Sequence, residues 1–114
     1  MNKHYQQHKK LAEEVIKNSA LYFAGLYGVP IRRIAIRNQK TRWGSCSKLG
    51  NLNFNYKLVF LPKHLRDLVI VHEICHLLEF NHSHKFWFNV SRVFPNYKEL
   101  TKELRKVNLH KLGK

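Results

Sequence analysis

The stretch Val71-His72-Glu73-Ile74-Cys75-His76 constrains this chain more than any other. It carries H-E-x-x-H inside a very apolar neighbourhood. Leu68, Val69, Ile70, Val71, Ile74, Cys75, Leu77 and Leu78 cover most of the circumference of a helix drawn through it. A helix that is apolar nearly all round is predicted to be buried. On it, His72 and His76 stand one turn apart and project from the same face. Glu73 points about 100° away around the axis. The plainer reading is a pair of histidines satisfied by hydrogen bonds in a core helix. Two imidazoles and a carboxylate are costly in such surroundings unless they are paired or bound to a metal. Random placement of the chain's eight His and six Glu gives about 0.03 such motifs, so chance is a poor explanation. The motif points to a metal site, with Glu73 beside the ion and placed to hold a water.

A third ligand is needed. His82 follows His76 by six residues, a spacing that a straight helix would carry off the ligand face. The chain must therefore bend between them, and Asn81 suits the turn. The spacing repeats that of the last two histidines in H-E-x-x-H-x-x-G-x-x-H. However, Glu79 stands at that pattern's glycine and the only methionine is Met1, so an ordinary metzincin with a Met-turn is excluded. Glu99 or Glu103 could instead supply a carboxylate ligand, and His84 could exchange roles with His82. Three neutral imidazoles leave a zinc ion its full charge and one open position, where water is acidified towards a pKa of about 7. Glu73 would take a proton from that water and pass it to a leaving amine. These are the requirements of peptide-bond hydrolysis.

A chain of 114 residues with 44% hydrophobic residues suits one globular domain with a modest core. No apolar run approaches the ~18 residues of a membrane span. Met1 to Lys10 is polar and basic, unlike a secretory signal. Cys46 and Cys75 are far apart and form no C-x-x-C pair. A monomer in the reducing cytoplasm is expected. The net charge of +14 favours anionic partners, nucleic acid among them, although no recognised nucleic-acid motif is present.

The pattern predicts an amphipathic helix from Lys9 to Leu26, stopped by Gly28 and Pro30. Ile31 to Arg37 alternates as a strand. Lys40 to Ser47 and Asn51 to Tyr56 flank Ser47–Gly50 as a hairpin, and Leu58 to Leu61 reads as a further short strand. Pro62 suits the first turn of the motif helix, which is predicted to run to Glu79 or Phe80. Helices are expected from Ser83 or His84 to Val93, and from the Asn96 cap through Val107. Trp43 reads as a packing aromatic and Gly44 as a bulge or a close approach to the motif helix. The candidate substrate contacts are Arg42, for a peptide carboxylate or an oxyanion, the amide-bearing strand with Asn53 and Asn55, His84, and Tyr97. Tyr97 and Tyr56 are also candidate oxyanion donors.

Lys40-Thr41-Arg42-Trp43-Gly44-Ser45-Cys46, Leu52-Asn53-Phe54-Asn55, Val71 to His76, Asn81-His82-Ser83 and Phe86-Trp87 together resemble the YgjP-like family. Its members are small zinc-dependent metallopeptidase-like proteins related to the SprT and Spartan group. The resemblance runs from about Arg37 to about Tyr97. It implies an α+β minimal zincin fold, with a small antiparallel sheet over the motif helix and flanking helices. It also implies zinc on His72, His76 and His82, and Glu73 as the catalytic acid/base. In the Spartan-like relatives proteolysis is directed at DNA-bound proteins, an analogy that would suit the basic charge. Two other classes stay open: a nucleic-acid-associated binding protein with a structural zinc, and a metal-dependent hydrolase of another amide or ester.

Overall fold

The computed structural model describes residues 3–112. In chain order it contains α1 (Lys3–Tyr27), β1 (Arg33–Arg37), β2 (Gly44–Cys46) and β3 (Asn51–Asn55). A 3-10 turn (Tyr56–Phe60) leads to α2 (Lys63–Cys75), α3 (His84–Ser91) and α4 (Tyr97–Arg105). The architecture is α+β, as expected.

α1 buries Ala12, Ile16, Ala20, Phe23 and Ala24 along one stripe. It starts before Lys9 because its first turns also have tertiary partners. His4 Nδ1 lies 2.8 Å from the Tyr56 hydroxyl, and the Tyr5 hydroxyl donates to the Ile36 carbonyl at 3.2 Å. The rings of His4 and His8, both on this first stretch of α1, pack against Phe60. Gly28 ends α1 at a φ of +67°, a conformation glycine adopts without Cβ strain.

The sheet has the order β1-β3-β2 and is mixed, which corrects the all-antiparallel expectation. β2 and β3 form the expected antiparallel hairpin, with Gly44 opposite Phe54 and Cys46 opposite Leu52. β1 pairs parallel with β3, Arg33 beside Asn51 and Arg37 beside Asn55. The chain reverses between β1 and β2 and again in the hairpin, so β3, seated between the other two strands, runs with β1. Leu52 and Phe54 are fully buried on the inner face.

The predicted strand at Leu58 to Leu61 is instead the 3-10 turn, which Asn55 caps by accepting from the Lys57 N–H at 3.0 Å. α2 then runs through the centre, packed by α1, the sheet, α3 and α4. Leu65, Leu68, Val69, Ile70, Val71, Ile74 and Cys75 are all buried. It ends at Cys75, short of the predicted Glu79. The ladder tightens there, with the Leu77 N–H on the Ile74 carbonyl at 2.9 Å and the Leu78 N–H on the Cys75 carbonyl at 3.1 Å. The chain then turns, and Ser83 starts α3 by accepting the Phe86 N–H at 3.4 Å. Asn96 occupies the cap position of α4, but its side chain makes no capping bond.

Candidate active site

His72 and His76 share one face of α2, their ring centres 4.9 Å apart. The bend after Cys75 returns His82 to that face, 4.7 Å from the His76 ring and 5.2 Å from the His72 ring. One ligand atom from each histidine lies within 4.8 Å of the other two. Nε2 of His72 and Nε2 of His82 are 3.3 Å apart. A tetrahedral zinc with nitrogens at about 2.0–2.1 Å sets those nitrogens about 3.3–3.4 Å from one another, the spacing of this pair, and the His76 ligand atom lies within 4.8 Å of both. Among the described residues no other group of three His, Cys, Asp or Glu converges in this way.

The electrostatics favour neutral rings with free lone pairs. Burial pushes His72 down to about 4, helped by His76 and His82. Burial also lowers His76, with His82 adding to the effect. The backbone of Phe80 and Glu79 opposes this, though among the described residues the buried His76 Nδ1 has no partner in hydrogen-bonding geometry. Glu73 is 8% exposed, and burial raises it to about 7 against the opposing pull of the Arg42 guanidinium.

The raised carboxyl has a consequence for the metal-free chain. A carboxyl with a higher pKa when folded binds its proton more tightly in that state, so its contribution falls as pH rises from about 4.5 to about 7. At pH 8 the buried charge should cost roughly 3 kcal/mol. Metal-free Glu73→Gln is therefore expected to melt several degrees above the metal-free parent at pH 8. The gap should close near pH 4.5. A constant difference across that range in thermal melts would refute the shift. His72 acts oppositely, losing stability as pH falls from 6.5 to about 4, but it is common to both proteins and cancels.

The closest packing around Glu73 is glycine-dependent. A Cβ built on Gly44 would stand 3.0 Å from the Asn53 carbonyl oxygen, 3.1 Å from Phe54 Cδ1 and 3.3 Å from Glu73 Cγ. Gly44 thus makes the close approach to the motif helix that its place in the sequence suggested. The histidines are buttressed by rings from α3. Phe86 stacks on His76 at 4.4 Å, and Trp87 lies nearly parallel to His82 at 5.8 Å. Tyr97 in turn stacks on Trp87 at 5.0 Å.

Two hollows meet at the triad. One, of about 450 Å³, is walled by Arg42, Trp43, Leu68, Trp87, Leu104 and Arg105. The other, of about 240 Å³, is walled by Cys46, His76 and Phe80. Glu73 and His82 belong to both, so an open groove crosses the three imidazoles. A broader depression of about 580 Å³ near Phe88 and Arg92 contains none of the triad.

A family model for the YgjP-like metallopeptidase domain matches residues 2–107. The chain belongs to the YgjP-like metallopeptidase family. Two solved structures share its fold. The crystal structure of the metallopeptidase zymogen of Pyrococcus abyssi abylysin is 22% identical with a TM-score of 0.70, covering 78% of this chain and 90% of that one. That of the metallopeptidase zymogen of Methanocaldococcus jannaschii jannalysin is 23% identical with a TM-score of 0.70, covering 80% and 94%. No curated protein matches the chain.

The remaining expected site residues of this YgjP-like metallopeptidase divide. Arg42 lies on the rim of the groove, exposed, with its charge felt by Glu73. Asn55 is fully buried and donates to the carbonyls of Gln39 at 2.9 Å and Arg42 at 3.0 Å. It holds the loop that presents Arg42, which corrects its assignment as a substrate contact. Asn53 pairs with Ser45 and so lies on the sheet face opposite Phe54 and Gly44, where its amide oxygen accepts from Arg37 Nε at 3.5 Å. That placement removes it from the groove. His84 starts α3, outside the converging triad, and lines an outer hollow with Tyr97. Tyr56 is fully buried against His4, which corrects it as an oxyanion donor. Glu99 and Glu103 are exposed, and Glu103 meets His64 at 2.7 Å, so neither joins the triad. The sequence reading missed Trp87 as a support for His82 and Cys46 as a wall of the groove. The Phe86-Trp87 pair beside the third histidine is the signal that could have flagged the first.

Proposed function

We propose that this metallopeptidase is zinc-dependent, with the ion held by His72, His76 and His82 and proton transfer carried by Glu73. The observation that carries the reading is three imidazoles converging beside a buried carboxylate where two hollows join. When bound, the metal supplies Lewis-acid polarisation of a carbonyl and acidifies a water. Glu73, held near neutrality by burial, accepts the proton of the attacking water and returns it to the leaving nitrogen. Arg42, on the rim, offers a cation to a substrate carboxylate or a developing oxyanion. β2 is an edge strand, so an extended peptide can add to its open side and cross the triad. The openness of the groove speaks against a sealed, purely structural ion. The net charge of +14 supports targets associated with nucleic acid, a reading that fails if oligonucleotides do not bind at low salt.

The test is mass-spectrometric analysis of unfolded protein substrates incubated with the zinc-loaded and chelated forms. Metal-dependent new termini are expected; their absence with every substrate would sink the reading. Gly44→Ala should lower kcat/KM on the order of 10–100-fold with zinc content unchanged, because the added methyl displaces Glu73 or strand β2. Unaltered kinetics would show that the carboxylate is not held by this contact. Among the described residues no helix is long and apolar enough to cross a membrane.

A further inference from the structure

We propose that the peptide substrate carries acidic residues on the side that lies along α4, where a row of cations receives its carboxylates. This deepens the peptidase reading above and rests on it. The charges of α4 are sorted. Lys98, Lys102 and Arg105 recur at i, i+4 and i+7 and form one stripe, whereas Glu99 and Glu103 form another. The three cations line a hollow of about 510 Å³ together with His84, Trp87 and Tyr97, and among the described residues no carboxylate lines it. That hollow shares Trp87, Thr101 and Arg105 with the hollow that contains His72, Glu73 and His82. A chain crossing the triad can therefore continue directly onto the cationic stripe.

The helix's own acids do not neutralise it. Glu103 turns to His64 on α2 at 2.7 Å, and Glu99 lines neither hollow. Among the described residues none of the three cations has a carboxylate within 4.0 Å. Like charges one turn apart repel, so the arrangement is unfavourable until an anion arrives. Two features favour a peptide over a nucleic acid as that anion. The stripe continues the cleft of a metallopeptidase, and Trp87 is already engaged by His82 and Tyr97, which makes it a poor platform for stacked bases.

The experiment measures binding, so that it does not depend on cleavage. Zinc-loaded Glu73→Gln protein is titrated by fluorescence anisotropy into short labelled peptides of one length, Asp/Glu-rich or Asn/Gln-rich, and into oligothymidine. The acidic peptide is expected to bind about tenfold more tightly than the neutral one at low salt, with the advantage shrinking as salt is added. Lys98→Gln with Lys102→Gln should remove most of that advantage. Lys3→Gln with Lys10→Gln, the same charge change on α1, should leave it, because neither of these lysines lines the cationic hollow or the hollow at the triad. Equal affinity for the two peptides would overturn the proposal. So would equal effects of the two double variants, or tighter oligothymidine binding that depends on Lys98 and Lys102. If the acid preference holds while no peptide is cut by the parent protein, the failure belongs to the peptidase reading.

Discussion

Replacing Glu73 with Gln is expected to reduce kcat/KM for peptide cleavage by about 10³–10⁴-fold while the protein keeps its zinc. The amide has nearly the shape of the carboxylate and fits the same buried space under Gly44. It cannot accept and return a proton, and positioned acid–base catalysis contributes about 10²–10⁴-fold. The upper end applies because, among the described residues, Glu73 is the one carboxylate lining either hollow at the triad. Cleavage kinetics paired with metal analysis decide the matter. Undiminished turnover would remove Glu73 from proton transfer. Loss of zinc together with activity would make the residue a support for the metal instead.

His82→Ala should weaken zinc binding by more than about a hundredfold and leave the fold intact. Disturbing residues behind a metal ligand already costs about 10–100-fold in affinity, and removing a ligand must exceed that. His82 is exposed in the turn between α2 and α3, so its loss leaves the core untouched. Zinc that binds only the folded state raises the melting temperature by mass action. The parent should therefore show a zinc-dependent rise and the variant little or none, with similar melts for the two metal-free proteins. Equal zinc content after dialysis against a weak chelator would show that the third ligand lies elsewhere.

Most of the candidate site was legible from the chain because it obeys helical periodicity. His72, Glu73 and His76 occupy positions that one turn of helix brings together, and the apolar residues around them announced a buried element. The bend before His82 followed from spacing alone. The amides of β3 were misleading for an equally physical reason. Period two places Asn51, Asn53 and Asn55 in one row, but the strand ends at Asn55, whose side chain turns in to the carbonyls of Gln39 and Arg42. The parallel pairing of β1 was illegible because Ile34 and Ile36 alternate identically in either direction.

By itself the sequence determined the candidate ligand types, the helix that carries two of them and the acid between them. These depend on neighbours no more than a turn apart, where backbone geometry leaves few choices. Tertiary structure alone decided which strand runs beside which, how close Gly44 comes to Glu73, that Trp87 backs His82, and that the cations of α4 border the cleft. Those relations join residues distant in the chain, and periodicity tells which face a side chain takes but not what that face will meet.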